Sequence, residues 1–163
     1  MREVVIKALL VDPSSQMPVV LLKDKASQKA LPIWIGETEA VSIAIGLQSD
    51  EFPRPLTHVL MKQMLEKLNA RVEKVVILEL QGGTYLASIF VRDMKGEIVE
   101  FDARPSDGLA LSLRTGCQVF VNDEVFRAES IDSPFAEEDE FHEFVDYNLD
   151  LGEFRRQSGD PAS

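Results

Sequence analysis

The sequence of 163 residues contains a single cysteine, Cys117. One cysteine excludes a disulfide within the chain and a zinc site built from several cysteines. No apolar run approaches the roughly 18 residues that a membrane-spanning helix needs. The first residues, MREVVIKALLVD, also lack the apolar core and the small-residue cleavage site of a signal peptide. We therefore expect a cytoplasmic protein with no membrane partner.

Three familiar catalytic signatures are also missing. The sequence has no G-x-x-x-x-G-K-[ST] phosphate loop, no G-x-S-x-G nucleophile elbow and no H-E-x-x-H zinc motif. Cys117 has no recognisable nucleophile signature and lies in an apolar run, CQVFV, so we expect it to be buried. A functional site must be sought among other polar residues.

The acidic residues are concentrated near the C-terminus. Residues 117–163 hold 3 Lys or Arg against 13 Asp or Glu, a net charge of −10, whereas residues 1–116 hold 14 against 15. A nearly neutral body lacks the basic stripe of an obvious nucleic-acid-binding protein, although it does not exclude such binding. We expect a folded domain over residues 1–130. We expect residues 131–163 to comprise an acidic helix, from Phe135, and a tail of disordered composition.

Hydrophobic patterning predicts two similar successions of three strands and a helix. Apolar runs bounded by turn residues predict six strands, at residues 4–11, 19–23, 30–35, 72–80, 85–92 and 98–102. Helical spacing of apolar residues follows the third strand and again the sixth; the first set is Ala40, Ile43, Ala44 and Leu47. Gly116 suits the end of the second of these helices, and CQVFV is a last strand.

A further helix is predicted between the two successions, from residue 57 to residue 69. Thr57 suits its N-cap and Asn69 suits its exit. We expect its apolar stripe to be buried. The stripe consists of Leu60, Met64, Leu65 and Leu68.

The two successions align with each other. IWIGETEAVSIAIGL and FDARPSDGLALSLRT match at a constant shift of 68 positions, which places Glu39 on Asp107 and Ile33 on Phe101. We hypothesise an internal structural duplication in which each half reads strand–strand–strand–helix. Chance is the alternative, because the sequence identity is slight. Either way, the pattern predicts a single α+β domain with mixed or antiparallel sheets and packed helices.

The segment FDARPSDGLALSLRTG has several polar side chains at the junction between a predicted strand and a predicted helix. Helix capping explains two of them, since Ser106 is a good cap and Asp107 complements the helix dipole. Capping explains Asp102 and Arg104 less well. The two carboxylates can converge on a hard cation such as Mg²⁺ or Mn²⁺, and the guanidinium can clamp a phosphate in a bidentate way.

Two other stretches carry candidate residues. In PRPLTH, two prolines stiffen the loop that carries Arg54, and His58 falls in the first helical turn, where the dipole disfavours its protonated form. His58 is then a base or a metal ligand, or else a histidine bonded to backbone. In LPIWIGETEA, Trp34 is expected in the core or at an interface, and Glu39 complements a helix dipole or joins the site.

LPIWIG with Glu39-Ala40, PRPLTH, and DARPSD followed by LALSLR together resemble the bifunctional nuclease family, whose members are described as having both DNase and RNase activity. The resemblance covers about residues 1–130 and implies an α+β fold and a tendency to dimerise; bacterial members are cytoplasmic, and some plant members nuclear. Two positions depart from the family pattern: Val59 replaces a commonly acidic residue, and Gly108 a common alanine. The matching positions are Glu39, Arg54, His58, Asp102, Arg104, Ser106, Asp107 and Arg114.

Residue types and resemblance together predict a low-specificity nuclease that hydrolyses phosphodiester bonds of RNA or DNA with a divalent metal. Asp102 and Asp107, with Glu39, are predicted to hold Mg²⁺ or Mn²⁺, and His58 is predicted to be the general acid or base. The predicted substrate-binding residues are Arg54, Arg104, Ser106 and Arg114.

Two other functions remain open at this stage. One is a non-catalytic homodimer whose polar cluster binds an anion or an effector and whose acidic tail contacts a basic partner. The charge of the tail favours it, because −10 would repel a nearby polyanion. The other is autoinhibition, in which the tail competes with nucleic acid for basic residues. Truncation after about residue 130 separates them, because only autoinhibition predicts a gain in nucleic-acid affinity.

Overall fold

A computed structural model describes residues 1–49 and 51–134 of the chain. Its strands are β1 (Arg2–Val11), β2 (Pro18–Asp24), β3 (Lys29–Trp34), β4 (Arg71–Gln81), β5 (Thr84–Arg92), β6 (Ile98–Ala103), β7 (Gln118–Val121) and β8 (Ile131–Asp132). Its helices are α1 (Glu37–Gln48), α2 (Thr57–Lys67), α3 (Pro105–Thr115) and α4 (Asp123–Glu129). The predicted α+β class is confirmed.

The strands form one mixed sheet in the order β6-β5-β4-β7-β1-β2-β3-β8. Neighbours are antiparallel except β4 and β7, which are parallel. The units β1-β2-β3-α1 and β4-β5-β6-α3 are each a three-stranded meander followed by a helix, and they flank β7 in opposite order. This topology agrees with the duplication hypothesis.

The strand register departs slightly from the constant shift of 68 positions. Val20 pairs with Ile33 between β2 and β3, and the shift would pair Ser88 with Phe101. Phe101 instead pairs with Ile89, one residue further along β5. The shift does hold at the helix entries, where the N-caps of α1 and α3 are Gly36 and Arg104. The shift of 68 positions therefore relates the residues at which the two helices begin, whereas the strand pairing of the two halves differs by one residue.

The main core lies between the sheet and the helices α1 and α3. The predicted inner face of α1 is confirmed for Ala40, Ile43 and Ala44, which are fully buried against strand residues. β2 is buried on both faces, as its continuous apolar run PVVLL predicts, and burial of each such leucine stabilises the fold by about 1.5–3 kcal/mol. Among the helices of the described residues, none has the length and apolar content for crossing a membrane.

The apolar stripe of α2 is not buried, and that prediction is wrong. Leu60, Met64 and Leu68 are 46%, 56% and 66% exposed, and Leu65 is only partly covered. His58 is the buried residue of this helix. Periodicity shows which residues share a helix face, but it does not show whether another layer covers that face. Here α2 packs on α3, and its stripe stays open to solvent.

Three details of the local predictions are corrected. The residues before α2 and α3 are Leu56 and Arg104, neither with a side-chain cap, so Thr57 and Ser106 lie inside their helices and are not N-caps. Trp34 is 49% exposed, which excludes the core, whereas its place at an interface stays a prediction; its Nε1 donates to Asp12 Oδ2 at 3.0 Å.

The predicted helix exits are confirmed, since Asn69 and Gly116 both have positive φ angles, of 54° and 71°. Cys117 is half-buried, and burial raises the pKa of its thiol. The short elements α4 and β8 were not predicted. The acidic helix expected from Phe135 and the tail lie outside the described residues, and the domain boundary near residue 130 stays a prediction.

Candidate active site at the helix entries

The helices α1 and α3 each begin directly after a strand and carry an acidic residue as their third helical residue. In α3, Pro105 takes the first position, where its missing N–H costs nothing, and Asp107 the third. In α1, Glu39 occupies the same place after the N-cap Gly36. Each carboxylate complements the partial positive charge of its helix. Because α1 and α3 pack on each other, the two carboxylates come close together.

Arg104 joins the two carboxylates. Its Nη1 donates to Glu39 Oε1 at 2.9 Å, and its Nε donates to Asp107 Oδ2 at 2.8 Å. These hydrogen bonds raise the pKa of the guanidinium. The side chain is 64% exposed, so solvent reaches its outer edge. A phosphate bound by Arg104 would have to compete with the carboxylates of Glu39 and Asp107 for the guanidinium group.

Gly36 makes room for this arrangement. A Cβ at position 36 would collide with Oε2 of Glu39. The backbone at Gly36 has an ordinary extended conformation, so space and not φ favours glycine at this position. The position equivalent to Gly36 in the second half is Arg104 itself.

His58 lies against the other oxygen of Asp107, with 3.1 Å between Nε2 and Oδ1. The imidazole is 8% exposed, and burial lowers its pKa more than the hydrogen bond to Asp107 raises it; the charge of Arg114 lowers it further. Burial raises the pKa of Asp107, but hydrogen bonds from Arg104 and His58 outweigh that and keep it below its ordinary value. At neutral pH a neutral imidazole therefore donates from Nε2 to a carboxylate, which leaves Nδ1 as an acceptor.

Asp102 and Ser106 lie on either side of this network. Asp102 is exposed on β6 and lines an apolar groove of about 850 Å³ together with Arg104 and Asp107. Within the described residues its carboxylate makes no hydrogen bond or ion pair. Ser106 is 7% exposed and lines a smaller cavity of about 270 Å³, which it shares with Trp34.

The donor set does not make a metal site as it stands. No group of three or more His, Cys, Asp or Glu side chains in residues 1–49 and 51–134 is placed to hold an ion. Both oxygens of Asp107 are already engaged, by Arg104 and His58. A metal ion shared by Asp102 and Asp107 would have to displace one of these contacts, so metal binding stays a prediction.

Arg54 and Arg114 are separated from Arg104. They line a cleft of about 460 Å³. The cleft lies between the C-terminal ends of α1 and α3, the proline-containing loop and the N-terminal part of α2. Arg114 donates through Nη1 to Ala110 O and through Nη2 to Ser42 O, both at 2.7 Å, and so ties α3 to α1. The structure thus divides the predicted residues into an ion network and a separate arginine cleft.

The groove beside Asp102 was not anticipated. Its apolar walls come from α2 on one side and from β5 and β6 on the other, and Tyr85 lies at the end near Arg104. Burial raises the pKa of Tyr85 to about 12, so its hydroxyl stays protonated. The signal in the sequence is the apolar stripe of α2, whose helical spacing predicts burial in the core.

Comparison with known proteins identifies a domain family for this chain. Residues 20–134 match the family described as the bifunctional nuclease domain. "Uncharacterized protein Rv1829" of Mycobacterium tuberculosis is 40% identical over 126 residues, which cover 77% of this chain and 74% of that protein.

Two plant proteins are more distant relatives. "Bifunctional nuclease 1" of Oryza sativa subsp. japonica is 26% identical over 113 residues, 68% of this chain and 34% of that protein. "Bifunctional nuclease 1" of Arabidopsis thaliana is 26% identical over 115 residues, 69% and 35% of the two chains. This chain therefore spans about a third of the plant relatives' length. From the domain match, which extends over both helix entries, the chain belongs to the bifunctional nuclease domain family.

Proposed function

We propose that this protein is a nuclease that hydrolyses phosphodiester bonds of RNA or DNA. The observation that carries the proposal is the contact between the buried His58 and the partly buried Asp107, in which the lowered pKa of His58 leaves a neutral imidazole beside a carboxylate at neutral pH. A histidine in that state is a suitable general base. Membership of the family supplies the substrate class, since the distant plant relatives are named as nucleases.

In the mechanism we propose, His58 takes a proton from the attacking water. With Nε2–H donated to Asp107, the acceptor is Nδ1, and Asp107 stabilises the imidazolium that forms. Arg104 holds the carboxylate of Asp107 in position by donating to it at 2.8 Å, and Glu39 holds Arg104 by accepting from it at 2.9 Å. General-base catalysis of this kind contributes about 10²- to 10⁴-fold to the rate.

Negative charge grows on the phosphoryl oxygens as the water attacks, and arginines can stabilise it. Arg104 is close to Asp107 but is already balanced by two carboxylates. Arg54 and Arg114 have no carboxylate partner among the described residues. Ser106 is buried next to Arg104 and is the remaining predicted contact to substrate.

A divalent metal would activate the water and stabilise the leaving oxygen. We keep the dependence on Mg²⁺ or Mn²⁺ as a prediction, with Asp102 and Asp107 as its candidate ligands. The proton transfer through His58 does not depend on it.

The test is cleavage of labelled single-stranded RNA and DNA by the full-length protein in Mg²⁺, Mn²⁺ or EDTA. His58→Ala is compared with His142→Ala, because these are the two histidines of the chain. We expect His58→Ala to lose about 10²-fold or more of the activity and His142→Ala to keep it. Equal cleavage by all three proteins would point to a contaminating nuclease and contradict the proposal. Loss of activity in EDTA would support the metal.

A binding module is the second candidate function. It is favoured by the internal neutralisation of Arg104 and by the open apolar groove of about 850 Å³. In that case no preparation cleaves nucleic acid, whatever the metal. Dimerisation also stays a prediction, checked by light scattering of the wild type and of Met64→Glu, which changes an exposed residue of α2.

A further inference from the structure

Among the described residues that line the cleft of Arg54 and Arg114, positive charges outnumber negative ones. Its described lining holds these two arginines and one acidic residue, Glu51; the rest is apolar or uncharged and includes Gln63. None of the three charged residues belongs to an ion pair within the part of the chain that the structure describes. A cleft with unpaired guanidinium groups is chemically suited to an oxyanion.

Arg114 is the partly buried cation of the cleft. Two of its nitrogens donate to the carbonyl oxygens of Ala110 and Ser42. A guanidinium has five N–H donors, so three remain for other partners. Burial lowers the pKa of Arg114, as expected for a charge that has lost water without gaining a carboxylate. Gly46 leaves space for it, because a Cβ there would lie 2.6 Å from Nη1.

The carbonyl contacts alone offer a purely structural explanation, in which Arg114 only fastens α3 to α1. That explanation leaves Arg54 unaccounted for. Arg54 stands between Pro53 and Pro55, whose rings fix the backbone φ angles on both sides of it. A stiff loop thus holds an exposed arginine at the cleft that Arg114 lines.

The cleft also lies close to the proposed base. It is lined by Leu56, two positions before His58, and by Val59, directly after it, and the charge of Arg114 lowers the pKa of the imidazole. The ion network of Asp107 and Arg104 lies on the other side, at the apolar groove. His58 therefore stands between a groove edged by carboxylates and a cleft edged by arginines.

We infer that this cleft is a phosphate subsite, in which Arg54 and Arg114 together bind one phosphate of the nucleic-acid backbone. Arginine suits this role because its planar fork matches two phosphate oxygens at once. The inference rests on the proposed nuclease function for the identity of the ligand. It assigns substrate binding to the cleft and leaves Arg104 as the residue that positions Asp107.

Phosphate binding is measured directly, without turnover. The full-length protein is titrated with inorganic phosphate, thymidine 5′-monophosphate and a non-cleavable phosphorothioate oligonucleotide, by calorimetry and by NMR of the histidine ring protons. We expect all three to bind, the oligonucleotide most tightly. Because bound phosphate offsets the charge of Arg114, the pKa of His58 should rise on binding.

Arg54→Gln and Arg114→Gln are compared with Arg127→Gln, which removes an exposed arginine of α4 outside the cleft. Loss of one charge-assisted contact should weaken phosphate binding about tenfold or more, and the control should bind like the wild type. Arg114→Gln also breaks the α1–α3 tie, so a circular dichroism melt checks its folding. Arg54→Gln, on an exposed loop residue, decides the matter if Arg114→Gln fails to fold.

The outcomes separate this inference from the nuclease proposal. Cleavage that depends on His58, with no phosphate binding or with binding unchanged in Arg54→Gln, overturns the subsite and leaves the nuclease standing. Binding of inorganic phosphate that Arg54→Gln weakens, without cleavage of any nucleic acid, supports an anion site and overturns its assignment to a nuclease substrate.

Discussion

The two halves of the sheet present the same helix entry with different chemistry. Glu39 and Asp107 are both third helical residues, and both accept a hydrogen bond from Arg104. The residue before each helix is Gly36 in the first half and Arg104 in the second. The second half contributes the guanidinium of Arg104, and in the first half the absence of a side chain at Gly36 leaves room for the carboxylate of Glu39. The network thus uses different residues at the two equivalent positions.

The halves also differ in burial. β3 is buried along its centre and is followed in the sheet by β8, whereas β6 is an edge strand exposed over nearly its whole length. Phe101 on that edge is 50% exposed, while Ile33, which the alignment places on it, is 2% exposed. The open groove therefore forms between α2 and the strands of the second half, and no described residue of the first half lines it.

The elements outside the repeat complete the site. α2, which follows α1 and has no counterpart after α3, carries His58 to Asp107. β7 lies between the halves and pairs with β1 and β4. The two similar halves of the sheet thus each provide an acidic helix entry, and α2 contacts only the second of them through His58.

The largest expected effect on activity comes from replacing the carboxylates of Asp107 and Glu39 one at a time. Asp107 contacts both Arg104 and His58, whereas Glu39 contacts only Arg104. We expect Asp107→Asn to lower kcat about 10²-fold or more, and Glu39→Gln to lower it less than about tenfold, through positioning alone. Steady-state cleavage assays on both variants check this. Equal losses would mean that the acids act as a symmetric pair.

The second prediction concerns pH, and it follows from the lowered pKa of His58. As a base, His58 must be neutral, so kcat/KM should be flat near pH 7 and fall about tenfold per pH unit below the pKa of the folded state.

The stability of the fold should also decrease towards acidic pH. The unfolded imidazole binds a proton near its ordinary value of 6.5 and the folded one does not, so the free energy of unfolding decreases as pH falls through 6.5.

His58→Ala checks whether His58 causes this loss of stability at acidic pH. In that variant the decrease in the free energy of unfolding below pH 6.5 should be smaller. Urea titrations between pH 5 and pH 8 measure it, and His142→Ala serves as the matched control. An unchanged decrease in His58→Ala would assign the pH dependence to another group.

The third prediction exchanges the fourth helical residues, which are Ala40 in α1 and Gly108 in α3. A Cβ at position 108 would lie 2.7 Å from Val75 Cγ1, on a stiff β-branched side chain. Overpacking costs about 1–3 kcal/mol and the gain in helix propensity is up to about 1 kcal/mol, so Gly108→Ala should destabilise by about 1 kcal/mol. Ala40→Gly should cost a similar amount. Urea midpoints measure both, and stabilisation by Gly108→Ala would show that Val75 yields easily.

The smallest effect is expected at the glycine entry. Gly36→Ala places a methyl group against the carboxylate of Glu39, which is the flexible end of its side chain and can move. We expect less than about 1 kcal/mol of stability to be lost, because the ion pair with Arg104 is partly exposed. The loss of activity should match that of Glu39→Gln. A larger loss of activity would indicate that the backbone at Gly36 contributes directly.

Much of the fold was predictable from local pattern. Six strands, the inner face of α1 and the exits at Asn69 and Gly116 are confirmed, because alternation, helical spacing and positive φ are local properties. The N-caps at Thr57 and Ser106 failed, since a suitable residue type does not decide at which residue a helix begins. The stripe of α2 failed because coverage depends on the placement of other elements.

The sequence by itself determined the residue types, the two helix entries and the family. Only the tertiary structure decided which of those residues meet. Arg104 and Asp107 are three positions apart, but Glu39 and His58 reach them from 65 and 49 positions away. The same packing placed Arg54 and Arg114 in a different cleft. Contacts over such separations depend on how α1, α2 and α3 pack, and local spacing carries no information about that packing.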